Sequence, residues 1–397
     1  MNVCVVAEYY PRRRDPVLGI WAHLQALAAR DAGADVRVLA LERPIPPLDV
    51  LRSPRRAARA LSAIATQPRR EDRDGIGVEY VRFLAPPRTQ SYVQWDRWAR
   101  RPLERALARL HREWPIDVVH AHYALPAAAA ARGWAAAQDK PLVVSVHGGD
   151  VHGPLLQNDA ARVRVGEVLG DAAAVLCNSA ATLARAEALT GGSMRGRVVR
   201  LGARAPERPP PRHSVPTVAT LGHVIERKRH EDVLQALAVA MDRVPGLRWA
   251  VIGDGPERAR LERLAAEAGV RATWCGQLDH EDALLELARC HVMALPSVDE
   301  AFGVAYVEAL ACGVPAIGSR GEGGPEEIAA AGDGMLLVPP RDPPALADTL
   351  AELLSDPAAL ERLANEARRT AREHFSWEAC GRATVAAYNE VMLTSDE

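Results

Sequence analysis

The residues best suited to chemistry fall in Leu295–Gly318, LPSVDEAFGVAYVEALACGVPAIG. A strand pattern ends at Pro296, and a helix pattern starts near Phe302–Gly303 and stops at Gly313, with Pro315 beyond it. That helix is almost wholly small or apolar, and Glu308 is its exception. A carboxylate on a buried helix is costly unless something pairs with it, and a ligand hydroxyl or a backbone donor would do so. Glu300 stands in the loop before it. The loop and helix start put free N–H groups at the carboxyl end of a strand, where open α/β sheets bind ligands and where anions are stabilised. The pattern directs Glu300 and Glu308 at a polyhydroxylated ligand, and the backbone of Phe302, Gly303 and Val304 at phosphate or sugar. A structural alternative stands beside it, in which Glu300 caps the helix and Glu308 pairs with a local arginine.

A cationic counterpart follows another strand pattern, in Leu221–Arg229, LGHVIERKR. A fixed Lys or Arg past a strand end can neutralise a departing diphosphate. Lys228 and Arg227 are the candidates, with Gly222 and His223 opening the turn. Of the 49 basic residues only Lys140 and Lys228 are lysine, so Lys228 stands out against an arginine-rich background. A bland surface lysine is the competing reading. Gly253 opens a Gly-Asp-Gly-Pro turn after a third strand pattern. A dinucleotide fingerprint would need glycine at 258, which is Arg258, so NAD binding is disfavoured.

In the first half, LVVSVHGGDVHG (Leu142–Gly153) places His147 at a strand's carboxyl end, followed by two glycines that allow close backbone approach. His120 and His122 end the preceding strand pattern, and His152 follows. Several histidines on one rim raise a metal site, but the defined ligand set such a site needs is not evident. Gly19 lies between the first strand and the first helix.

Parallel sheets are the natural support for such rims. Short β-branched runs alternate with Ala/Leu-rich helical patterns along the whole chain. The first half offers strands at Val3–Ala7, Asp35–Leu41, Asp117–Ala121, Leu142–His147, Ala174–Asn178 and Val198–Gly202. The second offers Thr217–Gly222, Arg248–Gly253, Ala272–Cys275, Val292–Pro296, Pro315–Ser319 and Met335–Val338. Two such sets predict an α/β protein of two Rossmann-like, doubly wound domains. The expected boundaries are 1–203 and 217–374, joined by a Pro- and Arg-rich linker at 204–216, with the helix at 375–397 packing back on the first domain. A length of 397 residues fits two domains.

Composition narrows the classes. A net charge of −2 gives no basic excess, so a nucleic-acid partner is not expected. The six cysteines show no CxxC spacing and read as core residues in a reducing, cytoplasmic setting. The opening MNVCVVAEYYP reaches Glu8 quickly and reads as a buried strand. Two basic stretches, Leu48–Gly75 and Tyr92–Trp114, read as solvated helices or as amphipathic helices lying on the inner face of an anionic membrane.

The segment E-A-F-G-x-x-x-x-E-A-L-A-C-G-x-P resembles the E-x7-E signature of glycosyltransferase family 4, and Glu300 and Glu308 match its two glutamates. The likeness continues through GEGGPEEI and GMLLVPPRD to Phe375–Trp377 and, with the first-half motifs, covers nearly the whole chain. It implies the GT-B architecture, with an interdomain cleft, and a retaining, metal-independent enzyme. The donor substrate would be a nucleotide-diphosphate sugar, and no separate cofactor is implied. By resemblance Glu300 touches donor-sugar hydroxyls, Glu308 the nucleotide ribose, and Lys228 the diphosphate. His147 meets the transferred sugar, and Gly253 belongs to a turn near the base. Gly222 and Lys228 match the family's G-R-x5-K-G. His223 replaces its usual Arg and Arg229 its usual Gly, and Arg227 can take over part of the missing phosphate contact. Gly19 stands where the family usually has two glycines near the diphosphate and acceptor. The chain is also loosely similar to envelope-polysaccharide transferases of the teichuronic-acid type, chiefly at GHVIERKRHEDVL.

The reading is therefore a hexosyltransferase with His147, Lys228 and Glu300 as catalytic residues, acting on a glycan, lipid-linked or small-molecule acceptor. Two other classes compete: a non-catalytic sugar-nucleotide-binding protein, and a GT-B nucleotide-sugar epimerase or a phosphorylase. A pyridoxal-dependent phosphorylase needs a Schiff-base lysine, and Lys140 has no matching context.

Overall fold

Strands that are apolar along their whole length need cover on both faces. The computed structural model, which describes residues 1–46, 53–152 and 154–393, supplies that cover in two units. One unit is Met1–Arg200 with Trp377–Glu397, and the other is Leu201–Ser376. Leu48–Arg52, the start of the first basic stretch, and Gly153 lie outside the described residues.

The first unit holds β1 (Asn2–Ala7), β2 (Asp35–Glu42), β3 (Arg70–Arg73), β4 (Ile76–Arg82), β5 (Val118–His122), β6 (Leu142–Val146), β7 (Ala174–Cys177) and β8 (Gly196–Val198). They form one sheet in the order β3-β4-β2-β1-β5-β6-β7-β8. Only β3 with β4 is antiparallel. The second unit holds β9 (Thr217–Leu221), β10 (Arg248–Ile252), β11 (Ala272–Gly276), β12 (Val292–Ala294), β13 (Ala316–Ser319) and β14 (Met335–Val338). These are parallel throughout, in the order β11-β10-β9-β12-β13-β14. In each sheet the winding direction reverses once, between β1 and β5 and between β9 and β12. A crevice opens beyond the carboxyl ends of strands at such a reversal. Both candidate rims stand there.

Local chemistry sets the helix boundaries. Asn158 and Ser179 cap the helices Asp159–Gly170 and Ala180–Thr190 by accepting from Ala161 N–H (3.2 Å) and Thr182 N–H (3.1 Å). Asp356, followed by Pro357, caps Pro357–His374. The last helix, Trp377–Leu393, packs on Ile20–Asp31 within the first unit. Gly381 permits the approach, since a Cβ there would lie 2.1 Å from the Ala28 carbonyl oxygen.

Some elements depart from the sequence pattern. The β3–β4 hairpin was not anticipated, because Arg70–Arg73 is wholly charged and lies at the sheet edge. Its turn, Asp74-Gly75, has positive φ at both residues, the geometry a tight hairpin requires. β8 spans Gly196–Val198, ahead of the expected Val198–Gly202. The second basic stretch is the helix Trp95–Glu113, whose apolar face (Trp95, Ala99, Leu103, Ala106, Leu107) is buried in the core. Its apolar residues are thus mostly committed inward, with Trp98 left partly exposed. Among the described residues no helix is long and apolar enough to cross a membrane. All six cysteines are free thiols. The Pro/Arg-rich segment is fastened to the second unit through His213 N–H to Arg289 O (2.8 Å), and Ala203 just ahead of it donates to Phe375 O (2.8 Å).

Candidate active site

In the second unit, β9 and β12 lie side by side and feed two loops, Gly222–Arg229 and Leu295–Gly303. Gly222 has φ +141°, a conformation open to glycine. Beneath it, Gly253 is required by contact, since a Cβ there would lie 2.0 Å from the Gly222 carbonyl oxygen. Gly253 therefore supports the turn at Gly222 directly. The backbone then makes a short 3-10 turn at Glu226–Lys228 and passes Arg229 at φ +55°. That left-handed position explains why glycine suits it, and a two-point bond from Arg229 to Asp232 (2.9 and 2.7 Å) offsets the strain. The two loops are tied by Val298 N–H to Arg227 O, 2.8 Å.

This tie brings Lys228 and Glu300 together: Lys228 Nζ donates to Glu300 Oε2. Arg227 Nη1 lies 3.9 Å from the same oxygen. Both side chains of the Lys228–Glu300 pair are largely buried, at 12% and 9% exposure. Burial pushes the Glu300 carboxyl up, but Lys228 and then Arg227 outweigh it and hold its pKa below the ordinary value. The backbone N–H of Glu300 donates to Glu322 Oε2, 2.9 Å. Glu300 is not a helix cap, because the helix Val304–Ala311 has Gly303 at its N-cap with no side-chain capping bond. Gly303 takes φ +86°, and a Cβ would strike the Tyr306 ring at 2.3 Å. The backbone of Phe302 is covered on one side by Gly324, where a Cβ would lie 2.3 Å from Phe302 O. Phe302 and Gly303 are buried, and Val304 is half-buried. Glu308 pairs with His280 Nε2 at 2.7 Å rather than with an arginine. His223 is exposed beside the cationic turn. His230, buried below it, is held neutral: burial first, then Lys228 and His223, push its pKa down to about 3.

In the first unit, β1, β5 and β6 carry the other rim. His147 and His122 stack with ring centroids 5.1 Å apart, and His122 Nδ1 meets His147 Nε2 at 2.9 Å. Burial pushes His147 down to about 3, so the ring is neutral near pH 7 and one of the pair donates while the other accepts. Asp150 accepts from Ala124 N–H (3.1 Å) and His147 N–H (3.2 Å), bracing this loop. Burial raises its carboxyl pKa to about 7 against those donors. His120 is fully engaged, with Ser145 Oγ at 2.8 Å and Tyr388 OH at 2.7 Å. Trp21 (6.1 Å) and Tyr123 (5.4 Å) flank the His147 ring. Gly19 is set by its own chain: it takes φ +64°, and a Cβ would lie 2.1 Å from Tyr9 O. It starts the helix Ile20–Asp31 at the end of the loop that follows β1. Among the described residues, only His213, Glu286 and Cys290 bring three metal-type ligand atoms close together. There His213 Nε2 already meets Glu286 Oε1 at 3.2 Å, and Cys290 donates to the Glu286 carbonyl.

Residues 204–370 match the family described as Glycosyl transferases group 1, and residues 19–203 match the Glycosyl transferase 4-like domain. Glycogen synthase of Mycobacterium tuberculosis is 31% identical over 293 residues, covering 70% of this chain and 69% of that protein. The chain belongs to the group 1 glycosyltransferase family. A GDP-mannose-dependent phosphatidylinositol monomannoside mannosyltransferase of Corynebacterium glutamicum is 29% identical over 175 residues, 42% of this glycosyltransferase and 45% of the relative. The match thus spans less than half of that relative's length. Among solved structures, sucrose-phosphate synthase from Thermosynechococcus elongatus aligns with a TM-score of 0.74 at 22% identity, over 99% of this chain and 100% of that one. Anabaena Alr3699/HepE, solved with UDP and glucose, aligns at 0.72 and 16% identity, over 98% and 100%. These likenesses show the fold, an α/β architecture of GT-B type with two predominantly parallel sheets.

Sequence reasoning missed His280, Glu322 and the role of His122. Glu322 sits in the glycine-rich GEGGPEEI turn, where an acid aimed back at the Glu300 loop has no spacing signature. His280 opens a helix in HEDALLELAR, and its only signal is a histidine among acids.

Proposed function

We propose that this glycosyltransferase moves a hexose from a nucleoside-diphosphate sugar to a hydroxyl of a glycan, lipid-linked or small-molecule acceptor, with retention of anomeric configuration. The observation that carries this is the Lys228–Glu300 pair, with Arg227 beside it, at the reversal point of the second sheet. Before the donor arrives, Glu300 neutralises Lys228. A diphosphate competes for Lys228 and Arg227, which frees Glu300 to accept from sugar hydroxyls. Charge grows on the leaving diphosphate as the glycosidic bond breaks, and a fixed ammonium there lowers the barrier. Gly222, His223 and Gly253 shape the turn that receives the phosphates. Gly303 and Val304 offer the first N–H groups of a helix. Glu308 takes the ribose.

On the acceptor side His147 acts as a neutral hydrogen-bonding group, oriented by His122 and by Asp150 beneath its loop. Gly19 presents the start of the first helix. The helix Pro54–Thr66, with Arg55, Arg59 and Leu61 exposed, is the surface for peripheral contact with an anionic bilayer at the cytoplasmic face. Flotation with anionic against neutral vesicles tests that contact, and equal recovery rejects it. For the reaction, a thermal-shift panel of nucleotide sugars identifies the donor, and NMR of the product reads the anomer. Retention is expected, and an inverted linkage would overturn the stereochemical proposal.

A further inference from the structure

We infer that His213, Glu286 and Cys290 form a structural zinc site in the second unit. His213 belongs to the Pro/Arg-rich segment just ahead of β9. Glu286 lies on the helix His280–Arg289, and Cys290 ends that helix and leads into β12. Their spacing of four residues puts Glu286 and Cys290 on one helical face. The backbone brings in the third group, because His213 N–H donates to Arg289 O at 2.8 Å. His213 Nε2 lies 3.2 Å from Glu286 Oε1, and the three ligand atoms all lie within 4.8 Å of one another. Cys290 is buried, while His213 and Glu286 are half-buried.

A thiol, an imidazole and a carboxylate make a zinc donor set, whereas magnesium and calcium take oxygen ligands. Around tetrahedral zinc, with bonds of about 2.0–2.3 Å, an imidazole nitrogen and a carboxylate oxygen stand about 3.4 Å apart, and a sulfur about 3.6 Å from either. The His213–Glu286 spacing already matches, so Cys290 Sγ has to close by at most about 1 Å. On binding, the Cys290 thiol gives its proton to solvent, and its bond to the Glu286 carbonyl is replaced by a bond to the metal. Thiolate, carboxylate and neutral imidazole then cancel the charge of the ion, which suits a site set partly out of water. Water takes the fourth position. Arg289 Nε, 3.6 Å from Glu286 Oε2, steadies the carboxylate from its other oxygen. The ion staples the segment before β9 to the start of β12. Both attachment points precede their strands, whereas Lys228 and Glu300 follow the carboxyl ends of the same two strands. Its role is therefore to hold the fold and not to take part in transfer. An ordinary His213–Glu286 ion pair would leave Cys290 out, and that difference can be read directly.

The test uses the full chain, stripped with a chelator and titrated with Zn²⁺ or with Co²⁺ as a coloured substitute. One equivalent should bind. The cobalt form should show tetrahedral d–d bands and a thiolate-to-cobalt charge-transfer band, and zinc should displace it. Zinc at about a hundredfold over its Kd should raise Tm by about 5–10 °C. Cys290→Ser should abolish the charge-transfer band, and His213→Ala should weaken zinc binding by at least about a hundredfold. Absence of a charge-transfer band in the wild-type chain would overturn the inference, and that result needs no variant to fold. A band that persists in Cys290→Ser, or zinc affinity unchanged in a folded His213→Ala, would show adventitious metal only and would overturn it as well.

Discussion

Removing the Lys228 ammonium separates what holds the second unit together from what drives transfer. In Lys228→Ala the Glu300 carboxylate stays buried without its main partner. Two unit charges about 4 Å apart attract by about 4 kcal/mol at an effective dielectric of about 20. Arg227, 3.9 Å from the same oxygen, retains part of that. Breaking a buried pair from one side typically destabilises by 3–5 kcal/mol, so the lower end, about 3 kcal/mol, is expected. For a unit of this size that corresponds to roughly 6–12 °C in Tm. The double variant Lys228→Ala/Glu300→Gln removes the stranded charge and should recover most of the loss while transfer stays absent. The sign with pH is also fixed. In the wild-type chain the Glu300 pKa is depressed, so the pair's contribution is present above the ordinary value of 4.5 and is lost as pH falls through the folded value. In Lys228→Ala burial dominates and the carboxyl rises, so stability is lost as pH rises. The gap between the two proteins should be widest near neutral pH and should narrow toward pH ~4.5. Urea unfolding of the three proteins at neutral and mildly acid pH measures this. A Lys228→Ala protein as stable as wild type at neutral pH would refute the reasoning, as would a double variant no more stable than the single one.

Gly324→Ala places a Cβ 2.3 Å from Phe302 O, so the loop carrying Glu300 must shift. Destabilisation of about 1–3 kcal/mol and a raised donor KM are expected, read by thermal melts and kinetics. Tyr388→Phe strips His120 Nδ1 of its partner in the buried core and should lower stability by about 1–3 kcal/mol in urea titrations. Acidification should destabilise the chain, because His120, His147 and His230 are each pushed from 6.5 down to about 3, chiefly by burial. Their stabilising share is complete above pH 6.5 and is lost as pH falls toward 3, at up to about 1.4 kcal/mol per pH unit per group. Asp150, raised from 3.8 to about 7, and Glu8, raised by burial, work the other way, but they are two against three. The urea midpoint should therefore fall between pH ~7 and pH ~5, and a midpoint that rises would contradict the burial of these rings.

The doubly wound architecture was legible because β1, β6 and β12 are apolar almost end to end, and few arrangements cover such strands on both faces. The β3–β4 hairpin was hidden because an edge strand of four charged residues carries no periodic signal. Within the candidate site, Glu300, Glu308 and Lys228 stood out as chemical exceptions to their surroundings: two acids in a small-residue segment, and a lysine in an arginine-rich chain. Their partners did not. Glu322 and His280 are brought in by the packing of separate helices, and nothing local in either sequence announces the bond. Gly19 was read for ligand approach, whereas its close contact is with the Tyr9 carbonyl of its own loop. A sequence displays the demand for glycine but not what presses against it.

Release of nucleoside diphosphate from a donor sugar by the full-length chain, compared with Glu300→Gln and Glu308→Gln, bears most directly on the central claim. Wild-type protein should release it in an acceptor-dependent manner. Glu300→Gln should lower kcat by about a hundredfold or more while the fold is kept, and Glu308→Gln should act mainly through donor KM. Wild-type rates in both variants, or no release from any nucleotide sugar by the wild-type chain, would contradict the assignment of the donor site to this rim.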